Sequence, residues 1–229
     1  MKHLYPYIVL VIAGVALLGT GCKKQAPVKF YHEYFGLNQG KYVIYDVTEI
    51  IHDDALNQHD TLKYQLKTYW ADTFVDNEGR VAREFWRSTR NSPSDPWVFQ
   101  DIWTGIIDGI RAELIEENQR VVKLVFAPTP QKSWNANASN TWAPLDCYYG
   151  DIHQDFSVGG INFDSTLVVE QAETYSLIDT IRKYEVYANH IGLVYKHSRD
   201  LNFQFNSQGQ IYLDKGKELF YSYSSSGTE

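Results

Sequence analysis

KYVIYDVTEIIHDDALNQHDTLKYQLKTYW, residues 41–70, is the stretch whose pattern decides the fold. In its second half Leu62, Tyr64, Leu66 and Trp70 share one face of an extended chain, and Lys63, Gln65 and Lys67 share the other. Side chains alternate between two faces only in a strand, so this pattern predicts a half-buried β-strand. Val43, Tyr45, Val47 and Ile51 alternate likewise against Asp46 and Thr48. The polar run from His52 to Asp60 between them is rich in turn formers and predicts a long hairpin.

Working outward, the same signals recur. Asp76 to Gly79 predicts a turn into a strand over Arg80 to Arg90, which ends at the breaker Ser92-Pro93-Ser94-Asp95-Pro96. Strands resume at Trp97 to Thr104. Ala112 to Glu117 and Arg120 to Ala127 form a further hairpin around Asn118-Gln119. Pro128 to Gly150 is the least regular stretch. Gly159-Gly160 opens a strand containing Ile161, Phe163, Leu167 and Val169. Thr180 to Ala188 and Leu193 to Phe205 flank Asn189 to Gly192, and Ser207 to Gln210 turns into a final strand over Ile211 to Tyr223, interrupted by polar Asp214 to Glu218. Tyr175 to Lys183 is the one segment that also fits a short helix. About ten antiparallel strands with short turns predict an all-β fold, a curved meander forming a barrel, half-barrel or sandwich. Curling is favoured because a flat sheet of that width leaves exposed edges.

Composition narrows the function. Aromatics make up 15% of the chain, with 17 Tyr and 6 Trp, which favours strands over long helices. The net charge is −7 and Lys and Arg form no stripe, which argues against nucleic acid as a partner. Without an internal repeat or long linker, residues 34–229 are expected to fold as one domain.

The first residues carry a different message. Lys2 is followed by an apolar run from Ile8 to Leu18, too short for the roughly 20 residues of a membrane span but of signal-peptide length. It ends in Gly19-Thr20-Gly21-Cys22. These residues resemble the lipobox of bacterial lipoproteins, although Gly19 stands where that pattern usually has Leu. The resemblance implies cleavage after residue 21 and lipidation of Cys22, with residues 22–33 as a tether. Each buried CH₂ of such an anchor contributes roughly 0.8 kcal/mol, so two or three acyl chains hold permanently. Lys23 and Lys24 suit anionic headgroups. With no acidic cluster behind the cysteine, the periplasmic face of an outer membrane is the expected place. Cys147 then has no partner and is read as a buried, inert thiol.

Candidate chemistry is sparse. His52 and His59 can face one another across the first hairpin, beside Asp53, Asp54 and Asp60, but no zinc spacing such as HExxH is present. His190 and His197 flank a Gly turn, where two polar residues are ordinary. No nucleophile elbow, phosphate loop or dinucleotide fingerprint occurs, so a non-catalytic protein without cofactor is expected, a hydrolase being the distant alternative. The irregular stretch offers more. Trp134, Asn135, Asn137, Asn140 and Trp142 combine indoles for stacking with amides for hydrogen bonds, which suits a glycan or peptide. The plainer reading is a loop pinned by Trp134 whose Asn side chains cap its own backbone.

Trp134 to Ala138, together with Tyr187 to Lys196 and the opening Tyr34-Phe35-Gly36, resembles a family of small Gram-negative cell-envelope lipoproteins. That resemblance implies a β-rich envelope protein and brings no activity. Asp60-Thr61-Leu62, Asp164-Ser165-Thr166 and Asp179-Thr180-Ile181 also resemble the short sites at which some such bacteria O-glycosylate exported proteins. Two functions are expected on these grounds. One is a binding or scaffold module that meets an envelope protein or glycan. The other is a lipocalin-like carrier with an apolar ligand inside the barrel. Large side chains filling the interior favour the first, and an open apolar cavity favours the second.

Overall fold

The computed structural model describes residues 27–229. The expected signal peptide, Cys22 and residues 23–26 of the expected tether lie outside the described residues. The regular elements from residue 41 onward are almost entirely strands. β1 (Lys41–Asp53) and β2 (Gln58–Val75) form the expected long hairpin, with Tyr45 opposite Leu66 and His52 opposite His59. β3 (Val81–Arg90), β4 (Val98–Asp108), β5 (Arg111–Glu116) and β6 (Gln119–Val125) continue the first meander. β7 (Ser133–Asn135), β8 (Asp146–Val158), β9 (Ile161–Tyr175), β10 (Asp179–Ala188), β11 (Gly192–Phe205) and β12 (Ile211–Thr228) make the second.

All twelve strands belong to one antiparallel sheet in the order β6-β5-β4-β3-β2-β1-β12-β11-β10-β9-β8-β7. The first and last strands pair at the centre, and each meander winds away from them until β6 and β7 meet. The seam is closed by few but specific bonds. Val122 N donates to Ala136 O at 2.9 Å, and Trp134 Nε1 donates to Val122 O at 3.0 Å. Tyr149 Oη accepts from Val125 N at 3.0 Å and donates to Val125 O at 2.8 Å. The sheet is therefore a nearly closed barrel, and the edges that a flat sheet would expose face each other.

The antiparallel register sorts the turns between two ends. One end carries the start of β1, the end of β12 and the β2–β3, β4–β5, β8–β9 and β10–β11 turns. The other carries the β1–β2, β3–β4, β5–β6, β9–β10 and β11–β12 turns. The first end is stoppered by the chain's own N-terminal segment. Tyr31 takes the left-handed conformation (φ 63°), a 3-10 turn spans His32–Tyr34, and Phe35 comes next. Tyr34 is completely buried, with Oη 2.5 Å from His153 Nδ1 and 2.6 Å from Ser165 Oγ. Phe35 packs on Trp70, and His190 N donates to Glu33 O at 3.0 Å. Gly36 is required here: its φ is +67°, and a Cβ would lie 2.5 Å from the Ile191 carbonyl oxygen. Tyr34 and Phe35 share one apolar cluster with Trp70, Leu114, Phe126, Tyr149, Leu167 and Tyr187.

The structure corrects the helical option for Tyr175 to Lys183. Tyr175 closes β9, and Asp179 opens β10. Ser176 makes the tight turn between them: its Oγ accepts from Asp179 N at 2.9 Å and from Ile178 N at 3.2 Å, and its N–H donates to Asp179 O at 2.8 Å. A serine that bonds the backbone two and three residues on competes with helix formation. Polar Asp214 to Glu218 also leaves β12 unbroken, because that strand is paired on both sides by β1 and β11.

Candidate functional site

Beyond the stopper the barrel interior narrows to a cavity of about 70 Å³. Its floor is apolar, made by Phe35, Leu66, Trp70, Phe85, Leu114 and Leu193. Above the floor runs a collar of charge. Lys123 reaches across from β6 to Glu185 on β10, Nζ to Oε1 2.9 Å, and lies 3.4 Å from Glu116 Oε1. Lys196 Nζ stands 3.6 Å from the same Glu185 oxygen, and Tyr187 Oη donates to Glu185 Oε2 at 2.6 Å. Arg87 lies over the Trp103 ring at 3.8 Å and donates to Asp101 Oδ2 at 3.1 Å.

Glu185 has only 2% of its side chain exposed. Burial disfavours its charge, but Lys123 and Lys196 overcome that penalty and pull its carboxyl from 4.5 down to about 2. Lys123 is pushed the other way by the same pairing: burial lowers its pKa, and Glu185 and Glu116 more than restore it. Each of Lys123 and Glu185 thus favours the charged form of the other. Such a pair spans the barrel and holds the seam meander against the opposite wall.

Cys147 lies next to this pair. Burial, reinforced by the negative charge of Glu185, pushes its thiol up to about 12. Cys147 is free and buried, as the sequence led one to expect, and the raised pKa keeps its thiol in the protonated form.

The residues singled out from sequence fall elsewhere. Trp134 points into the seam and packs on Tyr149 with ring centroids 5.0 Å apart. Asn135 Oδ1 accepts from Asn137 N and from Leu145 N, both at 2.9 Å. Asn137 Nδ2 donates to Ala143 O at 2.6 Å, and Asn140 Nδ2 donates to Arg120 O at 2.9 Å. These amides hold the loop's own backbone and dock it on β6, while Trp142 keeps 48% of its surface open. The loop spans the gap between β6 and β8 at the end away from the stopper.

His52 and His59 do face each other, with Nδ1 atoms 3.3 Å apart, and His52 Nε2 lies 3.3 Å from Glu218 Oε1. Among the described residues no three His, Cys, Asp or Glu are placed to share one metal ion. His190 sits exposed in the β10–β11 turn with φ 61°, whereas His197 lies well inside β11, stacked on Tyr184 at 5.1 Å and edge-on to Phe220. The two are not brought together. Of the three glycosylation-like sites, Thr61 is exposed on β2, Thr180 is half-buried, and Ser165 Oγ bonds Tyr34.

The collar itself was missed from sequence. Its signal was a charged residue on the core-facing side of an apolar strand: Glu185 alternates with Tyr187, and Lys123 is set among Val121, Val122, Leu124 and Val125. Comparison with known proteins adds little. No protein-family model and no curated protein matches the chain. Among solved structures it is similar to the crystal structure of a "putative lipoprotein" from Parabacteroides distasonis, with TM-score 0.39 and 11% identity over 88% of this chain and 100% of that one.

Proposed function

We propose that the protein is a non-catalytic binding module, held by lipid on Cys22 at the periplasmic face of the outer membrane. The observation that carries this reading is the filled interior. Ligand pockets for drug-sized molecules measure about 300–1,000 Å³, and a cavity of about 70 Å³ holds about two water molecules. An acyl chain needs the space that Tyr34, Phe35, Trp70 and Phe85 already occupy. That supports a module over a lipid carrier. The tether and the stopper share one end, so the opposite end, with the β7–β8 loop and Trp142, is the one presented to an envelope protein or glycan. The collar's ionised pairs are mutually neutralised and set beside no activated nucleophile, which supports a binding role over a hydrolytic one.

Native mass spectrometry of the full chain extracted from a bacterial envelope tests this reading. The expected spectrum shows the mass of the chain from Cys22 onward plus its acyl groups, with nothing else bound. A further lipid at near-stoichiometric amount would overturn the module and make the barrel a carrier. A mass that retains residues 1–21 would overturn the anchor.

A further inference from the structure

We infer that the β1–β2 hairpin carries a surface site for a divalent transition-metal ion, held by the imidazoles of His52 and His59. The two residues are direct partners across the hairpin, so their side chains leave the sheet on the same face. Their Nδ1 atoms face each other 3.3 Å apart. Two nitrogens bound to one tetrahedral ion at about 2.0–2.1 Å stand about 3.3–3.4 Å from each other, so the pair already has the bite of a chelate. For a direct hydrogen bond from an N–H the same separation is long.

Glu218 prepares the pair. It is 8% exposed, and its Oε2 accepts from Arg199 Nε at 2.6 Å. Its Oε1 lies 3.3 Å from His52 Nε2. A carboxylate paired with arginine only accepts, so the His52 proton sits on Nε2 and the Nδ1 lone pair is turned to His59. Metal-bound imidazoles regularly give the proton of their second nitrogen to such a carboxylate, which fixes the ring and raises its basicity. His52 has 16% of its side chain exposed and His59 is exposed, so one ligand is set in place and the other is reachable from solvent.

The surrounding charges suit a cation. Residues 53–60 hold three Asp and no Lys or Arg. Arg199 is committed to Glu218. Lys215 and Lys217 flank Gly216, the β12 residue opposite His52, and therefore point to the other face, where Lys217 pairs with Glu49 at 2.7 Å. Imidazole nitrogen suits Zn²⁺, Ni²⁺ and above all Cu²⁺, whereas Mg²⁺ and Ca²⁺ seek oxygen. Two protein ligands converge here, and among the described residues no third His, Cys, Asp or Glu joins them, so the remaining positions go to water or to a donor from a partner. Such a site exchanges its ion with the medium, and the chain extracted without added metal is expected bare. The hairpin turn lies at the end of the barrel away from the stopper, the end that the module reading presents to a partner, but the site does not depend on that reading.

Cu²⁺ is the probe, titrated into the full chain in a non-ionic detergent after EDTA and dialysis, and followed by electron paramagnetic resonance. One saturable site with two coordinated imidazole nitrogens is expected, and excess Mg²⁺ should leave it occupied. Glu218→Gln should weaken Cu²⁺ by about tenfold, the low end for a lost partner of a metal-bound histidine. His59→Asn should weaken it by at least about tenfold and leave one nitrogen, since a lost ligand costs no less than a lost supporting carboxylate. The His59 ring is exposed, so that variant keeps the fold, which circular dichroism checks. His190→Asn, which removes an exposed histidine on the β10–β11 turn, should change nothing. No saturable site, a spectrum without imidazole nitrogen, or binding as tight in His59→Asn as in the parent would overturn the site. A larger effect of His190→Asn would move the ion to the opposite end of the barrel and overturn it equally. Whichever is found, the envelope mass spectrum still decides the module reading.

Discussion

Lys123→Met should lower the stability of the barrel by about 3–5 kcal/mol, the cost of removing one partner from a buried ion pair. The size reflects the group that would be left behind. Glu185 is 2% exposed, and without Lys123 it keeps only the Tyr187 hydroxyl and a Lys196 ammonium 3.6 Å away. The buried carboxylate must then stay charged with poor compensation or take up a proton. The urea midpoint measures the loss. Lys123→Met combined with Glu185→Met should recover most of it, because two apolar side chains of similar volume need no charge partner. A single variant within about 1 kcal/mol of the parent, the level of a surface pair, would show that the collar is solvated and not buried.

The second large effect belongs to the stopper. Tyr34→Ala should cost about 3–5 kcal/mol, the range for removing a buried aromatic ring. The loss has two parts. The ring vacates the sealed end of the barrel, and His153 Nδ1 and Ser165 Oγ lose the hydroxyl that lies 2.5 and 2.6 Å from them. Tyr34→Phe separates the two, since it retains the packing and leaves only unpartnered polar groups, worth about 1–3 kcal/mol. Denaturation of both variants in urea gives the comparison. If Tyr34→Ala unfolds at the parental midpoint, the segment before β1 is not part of the core.

These two sites also mark where sequence reading stopped. The β1–β2 hairpin was legible almost residue by residue, because one face is apolar and the other polar, and a half-buried strand imposes that period. β8 was not. Asp151, Gln154 and Asp155 are all exposed, three register shifts interrupt its pairing with β9, and His153 sits at φ 56°, so its side chains never alternate cleanly. Bulges of this kind bend a strand, and here they bring His153 to the stopper. Tyr175 to Lys183 carries apolar residues at spacings that fit either period, and the Ser176 turn decides between them.

The charged collar was invisible for a different reason. A lysine or glutamate in a strand reads as solvent-facing, and only the closure of β6 toward β7 turns Lys123 and Glu185 toward each other across the interior. The β7–β8 loop shows the converse. Its Asn-rich sequence was compatible with recognition or with self-capping; three of its amides bond the loop and β6, which accounts for those Asn residues, and Trp142 is left exposed.

Hydrogen exchange of the amides in residues 31–37, followed by mass spectrometry on the full chain, tests most directly whether the barrel is filled by its own N-terminal segment. Tyr34 N and Phe35 N donate within the 3-10 turn to Tyr31 O and His32 O, and the segment is packed between opposite walls. Buried, bonded amides open only with the global fold, so exchange as slow as that of β1 and β12 is expected. Exchange of this segment in seconds, while β1 and β12 remain protected, would contradict a filled barrel and leave its interior open to a larger ligand.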